Sequence, residues 1–372
     1  MDGPAPVASA VVHAEAADGR LLFEGAAGVA RPDTRAALTP ATPIHVASVA
    51  KTFTAALVMQ LAEEGRLGAL GIDSAFATFG VLPREVVSRL HREDGVSQAD
   101  RITLRHLLTH TSGIRDAMVD DAEHCGGPAP GSLIGEMLAP GGSPARTWVP
   151  WDPRRPLDPN AGVINFFISR GIADHPVHPP GEGFHYSDTG FVLLGLLVES
   201  VEGRPLHECL RARIFRRLGL ADTYLAYRDD PALGPNRAPE AEVYAGEIPV
   251  LTSGASLSFD WAGGGIVSTV ADLATFVRAL FAGRLFRSQA TLREITAWVC
   301  PPGLDATRSG VGLGLFRTAC NGTELWGHSG AWGTKIALEP RSGLVFAGTT
   351  NQARSPVDWH HPFVREALRL AA

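Results

Sequence analysis

Both ends of the chain carry strand-type sequence, and this feature constrains the fold more than any other. Near the start, Ala8–Ala14 and Leu21–Val29 are apolar runs separated by the turn-forming pair Asp18-Gly19, which predicts a β-hairpin. Three more strands are predicted near the far end, at Thr323–Trp326, Lys335–Leu338 and Leu344–Thr349. We therefore expect one antiparallel sheet built from the two ends of the chain.

The middle of the chain has helical periodicity instead. The predicted helices are Val49–Glu64, Leu104–Thr109, Val192–Glu199, Leu206–Leu218 and Thr269–Phe281, with a closing amphipathic helix at Val357–Leu370. Between them, residues 126–160 are dense in Gly and Pro and predict an irregular excursion over the surface. Gly310–Gly314 lacks the spacing of a dinucleotide-binding loop and predicts a Gly-rich strand.

Composition and charge exclude several classes of protein. The net charge of -6, with acids and bases interspersed, leaves no basic stripe for nucleic acid. No apolar run is long enough to span a membrane, and Met1–Val12 lacks the basic and apolar segments of a secretory signal, so a cytoplasmic location is expected. Four separated cysteines without a CxxC pair predict reduced thiols rather than disulfides or a zinc site.

Ser48 stands at the start of a strongly apolar helix, and Lys51 follows it by three residues. Positions three apart share one helix face, so the Lys51 amine should reach the Ser48 hydroxyl. The helix dipole and the unpaired N–H groups of the first turn favour negative charge at that serine. This arrangement meets the requirements for activating a hydroxyl nucleophile, although a capping serine beside a solvated lysine would have the same sequence.

Lysine is rare in this chain, which strengthens the case for position 51. The 33 basic side chains include only two lysines, Lys51 and Lys335. A guanidinium stays charged at any working pH, whereas desolvation and a nearby positive charge can drive a lysine amine neutral. We therefore expect a titratable amine at Lys51.

Two later segments offer further polar groups. Tyr186 and Asp188 follow Pro179-Pro180-Gly181 and precede a helix, and a phenol beside a cationic lysine can have a lowered pKa and exchange a proton. A packing tyrosine followed by a capping aspartate is the alternative. In Gly327–Gly330, small residues flank His328 and Ser329 and would let a substrate approach the backbone, although a simple turn would have the same composition.

Taken in this order, the three elements resemble a known superfamily. Ser48-x-x-Lys51, Tyr186-x-Asp188 and His328-Ser329-Gly330 are similar to the signature elements of serine β-lactamase-like proteins, which include class C β-lactamases, D,D-peptidases and family VIII esterases. Flanking segments of the same character are Leu107–Ile114 and Gly263–Thr269.

The resemblance implies an α+β fold in one structural unit. Residues 1–47 and 305–372 would form a sheet flanked by helices, and 48–304 a mainly helical part with a loop-rich insertion near 120–165. The active site would lie in the groove between them, without cofactor or metal, and would take a small ester or amide substrate. The resemblance leaves the oligomeric state open.

The resemblance also implies residue roles. Ser48 would attack an acyl carbon, and Lys51 and Tyr186 would relay its proton to the leaving group. The backbone N–H groups of Ser48 and Ala331 would form the oxyanion hole. The residues implied to contact substrate are Asp188, His328, Ser329, Gly330 and Trp332.

Two departures from the superfamily pattern bear on the substrate. The third element commonly begins with Lys where this chain has His328, which is mostly neutral at pH 7 and makes a strong carboxylate clamp doubtful. The second commonly has Asn where this chain has Asp188. Both changes disfavour an anionic β-lactam and resemble esterases and aminopeptidase-like members. Lys335 could restore a cation or be a solvated strand residue, and Arg228 could anchor substrate.

Three functions remain open at this point. The first is a cytoplasmic ester or amide hydrolase acting on a small acyl substrate. The second is a transacylase with an aromatic acceptor pocket, for which Trp148, Trp151 and Trp332 are available. The third is a catalytically dead relative that binds a ligand. The pairs His175/His178 and His360/His361 lack metal-site spacing and predict surface or capping histidines.

Overall fold

The computed structural model describes residues 7–127, 129–229, 239–320, 322–353 and 360–371. Its largest element within these ranges is an eight-stranded antiparallel sheet in the order β4-β5-β6-β7-β8-β1-β2-β3. The strands are β1 (Ser9–Glu15), β2 (Leu21–Arg31), β3 (Ala36–Ala37), β4 (Arg308–Val311), β5 (Phe316–Cys320), β6 (Thr323–Ser329), β7 (Lys335–Leu338) and β8 (Val345–Thr349). Val11 in β1 pairs with Thr349 in β8, which confirms the predicted sheet of both chain ends.

Both faces of the sheet are covered because neighbouring strand residues point to opposite sides. In β8, Val345 belongs to the main core and Phe346 to a second, smaller core. The long helices are α1 (Ala50–Glu63), α2 (Asp188–Glu202), α3 (Val270–Phe281) and α4 (His360–Ala371). Helix α3 packs on β1, β7 and β8, and α4 lies on the smaller core through Val364 and Ala367.

Helix α1 is at the centre of the protein. Twelve of its fourteen residues are buried, in agreement with the apolar composition of this segment. It packs against α2 and against a short helix, Trp261–Gly264. Phe53 of α1 stacks on Phe276 of α3 at 3.6 Å between ring centroids, which joins the helical part to the sheet through α3.

The remaining elements are short. The helices are Arg84–Val87, Leu104–Leu108, Leu133–Leu138, Val163–Ser169, Leu206–Leu210, Arg216–Leu218, Trp261–Gly264 and Gln289–Ile295. The strands are Ile44–His45, Arg92–Glu93, Val96–Ser97, Tyr224–Leu225, Tyr244–Ala245, Ile248–Pro249, Ile266–Ser268 and Gln352–Ala353. No helix in the described ranges is both long and apolar enough to cross a membrane.

Several predicted boundaries were wrong for local reasons. Helix α2 begins at Asp188 rather than Val192, because the Ser187 hydroxyl accepts a hydrogen bond from the Gly190 N–H and caps the helix. The span 126–160 contains a helix, Leu133–Leu138, and is not irregular throughout. The Gly-rich strand ends at Val311, and Gly314 turns with a φ of 67°.

Two further differences concern helices, and one predicted helix is present. The predicted helix Leu206–Leu218 is interrupted by a wider π-helical turn at Arg211–Phe215. Helix α3, assigned by sequence to the helical part, covers the sheet instead. The predicted C-terminal helix is present as α4, and the first three residues of that prediction, 357–359, lie outside the described residues.

Candidate active site

A small three-stranded sheet holds the chain in place just before Ser48. Ile44–His45 pairs with Ser268 and Val267, and the Val46 N–H donates to the Ile266 carbonyl at 3.0 Å. Ala47 then adopts a φ of 46°, a left-handed conformation that costs a non-glycine residue energy and needs firm support from its surroundings. Ser48 follows, half-buried, in a 3₁₀ turn that runs directly into α1.

Lys51 is fully buried and surrounded by polar partners. Its Nζ lies 3.2 Å from Ser48 Oγ, so the predicted reach along the helix is confirmed. The same amine donates to the Gly263 carbonyl at 2.8 Å and forms an ion pair with the Asp188 carboxylate. Residues from three distant parts of the chain therefore meet at one ammonium group.

The sequence predicts an amine at Lys51 that can lose its proton readily, whereas the surroundings of Lys51 in the structure favour the charged form. Burial alone would lower its pKa, but the Asp188 and Asp260 carboxyl groups and the hydrogen bond to Asp188 outweigh burial and raise the pKa above its ordinary value. Carboxyl groups face the amine. Lys51 is consequently an ammonium group in the resting site.

Tyr186 lies beside this ammonium. The Lys51 Nζ is 5.0 Å from the centroid of the Tyr186 ring, whose other neighbour is the His110 ring, stacked at 4.2 Å. Burial raises the pKa of Tyr186, and the lowering by Lys51 and Ser48 does not compensate, so the expected net lowering is wrong. The buried phenol oxygen lies outside hydrogen-bond geometry with every group in the described residues.

His328 is a buried, neutral side chain rather than a cation. Its Nδ1–H donates to the Ser329 carbonyl at 2.7 Å, and its ring lies 4.9 Å from that of Phe316 and 6.3 Å from that of Tyr186. Burial, followed by the charge of Lys51, lowers the His328 pKa to about 3. The neutral histidine expected from the sequence is therefore present, on strand β6 beside the rings of Phe316 and Tyr186.

The end of β6 lies directly against the start of the nucleophile turn. A side chain at Gly330 would overlap the Val46 carbonyl and contact Ala47, so only glycine permits this approach. Because of this contact, the segment that carries Ser329 and Ala331 lies close to Ser48. The oxyanion-hole role of the Ser48 and Ala331 N–H groups stays a prediction.

Trp332, Lys335 and Arg228 were also considered as binding residues from the sequence. Trp332 packs against the main core, and its substrate contact stays a prediction. Lys335 pairs with Ser329 across β6 and β7, on the sheet face opposite His328. The Arg228 guanidinium donates to the Trp148 carbonyl at 2.7 Å and thus holds a loop. Trp148 itself is buried in the core.

Two acidic residues that interact electrostatically with Asp188 were not identified from the sequence. Burial and the charge of Asp188 raise the pKa of Asp260 to about 7 and that of Asp116 well above its ordinary value. A side chain at Gly264 would overlap the Asp260 carboxylate, and one at Gly263 would lie 3.3 Å from Lys51 Nζ. The sequence signal that could have identified Asp260 is the run Gly263–Gly265, three residues further on. Glycine at these positions leaves room for the Asp260 carboxylate and the Lys51 amine.

His110 belongs to the segment Leu107–Ile114, and no functional role was predicted for it from the sequence. It is buried with a φ of 56°, and its Nδ1 accepts a hydrogen bond from the Ser187 N–H at 3.1 Å. Burial lowers its pKa well below the ordinary value, so the ring is neutral. Stacked on Tyr186, it fixes the position of the phenol and of the start of α2.

The geometry agrees with comparisons to known proteins. A family model described as Beta-lactamase matches residues 6–371. The chain belongs to the beta-lactamase family. Its solved relatives in this family include a D-stereospecific amidohydrolase from a Streptomyces species, which is 26% identical with a TM-score of 0.71 and coverage of 98% of this chain and 94% of that one. The α+β fold expected from the resemblance is therefore confirmed.

Curated members of the family are similar at comparable identity. Penicillin-binding protein 4 of Amycolatopsis lactamdurans is 27% identical over 89% of this chain and 77% of its own length. The D-aminopeptidase of Brucella anthropi is 24% identical over 84% of this chain and 50% of its own length. The chain also spans only 39% of Penicillin-binding protein 4* of Bacillus subtilis, so it corresponds to part of some of these proteins.

Proposed function

We propose that this protein is a serine amidase or esterase that forms an acyl-enzyme on Ser48. The observation that carries the proposal is the 3.2 Å contact between Lys51 Nζ and Ser48 Oγ at the N-terminus of a buried helix. The helix N-terminus favours negative charge on the serine oxygen, and the buried ammonium adds to this field. Family membership, with hydrolases among the relatives, supports the same reaction class.

The charged state of Lys51 determines the proton path that we propose. Ser48 Oγ forms a bond to the acyl carbon while its proton passes to Lys51, and Lys51 passes one of its own protons to Asp188 through their ion pair. Tyr186 is protonated at neutral pH because its pKa is raised, so it donates to the leaving group and recovers a proton from Lys51. Water then cleaves the ester to Ser48 with these transfers reversed.

The charges around the site favour a substrate whose acyl part carries an amine. Asp188 and Asp260 are partly exposed acids beside the nucleophile. Among the described residues, His328 is neutral and the Arg308 guanidinium pairs with Asp305, so neither offers an unengaged positive charge to a substrate carboxylate. An amino acid amide or ester fits this balance better than an anionic β-lactam. The similarity to the Streptomyces D-stereospecific amidohydrolase supports the D-configuration.

The test is intact-mass spectrometry of the full chain with three substrates. D-phenylalanine amide carries a cation, p-nitrophenyl butyrate is neutral, and nitrocefin carries a carboxylate. We expect one acyl adduct per chain with the first two, absent in Ser48→Ala and kept in the matched control Ser88→Ala, which alters an exposed serine. L-phenylalanine amide tests the configuration, and added amines measure acyl transfer against hydrolysis.

The outcomes separate the functions that the sequence left open. Release of acyl product to water supports the hydrolase, whereas preferential capture by the added amine makes a transacylase the better assignment. Faster acylation by nitrocefin than by D-phenylalanine amide would contradict the cationic substrate. No adduct with any substrate would refute the enzyme and leave the ligand-binding relative.

A further inference from the structure

Three side chains lie close together where α4 packs on the sheet, although one of them is far from the other two in sequence. Cys320 ends β5, and His360 and His361 begin α4, forty residues later. Their potential ligand atoms, one sulfur and two imidazole nitrogens, all lie within 4.8 Å of one another. We propose that Cys320, His360 and His361 form a zinc-type metal site, remote in sequence and role from Ser48.

The burial of His360 contradicts one of the two expectations from sequence, a surface position, and leaves the other, a position at a helix end. Cys320 is 2% exposed and His360 is 7% exposed, so His360 is not a surface histidine. His361 is half-buried beside it, with 6.1 Å between the two ring centroids. A buried thiol and two neighbouring imidazoles at one point form an unusual concentration of metal-ligand atoms.

The chemistry of the three ligands selects the ion. One thiolate and two imidazoles suit zinc and related borderline-soft metals, whereas magnesium and calcium prefer oxygen ligands. Ligands around a tetrahedral zinc at bond lengths of about 2.0 to 2.3 Å are roughly 3.5 Å apart. The 4.8 Å limit on the present separations exceeds this value by roughly 1 Å, so metal binding would need at most a movement of about that size.

The surroundings leave room for a fourth ligand. A cavity of about 500 Å³ is lined by all three residues and extends along β5 to β7 past Thr318 and Lys335. It gives an access route for the ion and space for a bound water opposite the protein ligands. Three protein ligands with one open position are typical of zinc sites that bind a further small molecule.

Metal binding here would fasten α4 to the sheet. The helix contributes Val364 and Ala367 to the small core that contains Cys320, and Phe363 in its first turn packs against Phe346. A metal ion bound by Cys320, His360 and His361 would also attach the first two residues of the helix to the end of β5. Because the metal binds the folded state, it should raise the melting temperature.

The experiment uses the untagged full chain after dialysis against a chelator. Zinc chloride is titrated by competition with a chromogenic chelator, and cobalt chloride is added to a parallel sample. We expect one zinc per chain, a rise in Tm on binding, and thiolate-to-cobalt charge-transfer absorption. Cys320→Ser should remove that absorption and weaken zinc binding at least tenfold, and His361→Ala should weaken zinc binding by a similar factor.

Matched controls distinguish this site from adventitious binding. Cys300→Ser alters an exposed cysteine and His175→Ala an exposed histidine, and both should leave zinc affinity unchanged. His361→Ala keeps the proposal testable if Cys320→Ser does not fold, since His361 is only half-buried. Absence of saturable zinc binding, or equal binding by the His361 and His175 variants, would overturn the assignment.

Discussion

The ion pair between Asp188 and Lys51 has a measurable consequence for proton affinity. Replacing Asp188 by Asn removes the negative charge and keeps the size of the side chain. Two unit charges about 4 Å apart at an effective dielectric constant of about 20 attract by roughly 4 kcal/mol. Loss of this attraction corresponds to roughly a thousandfold lower proton affinity of the Lys51 amine. Burial, which alone lowers the Lys51 pKa, is then opposed mainly by Asp260.

The assay is NMR of the chain labelled with ¹³C and ¹⁵N in lysine only. Because the chain has two lysines, the spectrum contains two side-chain signals, and Lys335→Arg assigns them. In the wild type we expect Lys51 to stay protonated beyond the pH at which an ordinary lysine titrates. In Asp188→Asn it should lose its proton at a markedly lower pH.

The same titration is able to refute the reasoning. A wild-type Lys51 that loses its proton below the range of an ordinary lysine would mean that burial outweighs the carboxylate. An unchanged titration in Asp188→Asn would mean that the ion pair does not determine the charge. Lys51→Arg should be nearly as inactive as Lys51→Ala, because a guanidinium accepts no proton. Lys335→Arg, which makes the same change at the other lysine, is the control and should keep its turnover.

Three further perturbations test the packing, the groove and the buried acid. Phe53→Ala removes a fully buried ring stacked on Phe276 and should cost about 3 to 5 kcal/mol of unfolding free energy in urea titrations. Gly330→Ala places a methyl group against the Val46 carbonyl and should lower kcat/KM about 10 to 100-fold, while the melting temperature reports whether the fold survives. Asp260 has a folded pKa raised to about 7, so the native state holds the extra proton and stability falls as pH rises from about 4 to 7. Asp260→Asn should remove this decline, worth up to about 4 kcal/mol, in unfolding measured across that range.

Matched variants accompany these three tests. Leu21→Ala truncates an exposed leucine, 52% accessible, and should change stability by less than about 0.5 kcal/mol. Gly127→Ala adds a methyl group with no atom within 4 Å and should leave kcat/KM unchanged. Asp18→Asn alters an exposed acid and should keep the wild-type pH dependence. A Leu21 variant as unstable as the Phe53 variant, or a Gly127 variant as slow as the Gly330 variant, would contradict the structural reasons given.

Local periodicity was enough to predict the main elements of the fold. β7 was predicted at Lys335–Leu338 and occurs there, because a short run containing Ile336 and other apolar residues, bounded by Gly333 and Pro340, favours a strand. The start of α2 was missed, because it depends on the cap at Ser187 and on the neighbouring His110. The π-helical turn at Arg211–Phe215 had no sequence signal that we recognised.

The sequence by itself determined which groups could react. Ser48 and Lys51 are brought together by the pitch of one helix, which depends only on residues three apart, and strands at both ends dictated a shared sheet. Tertiary structure decided the charges. Lys51 meets Asp188 across 137 residues and the Gly263 carbonyl across 212, and proton affinity depends on such distances and on burial. The same holds for Cys320, which reaches two histidines only in the folded chain.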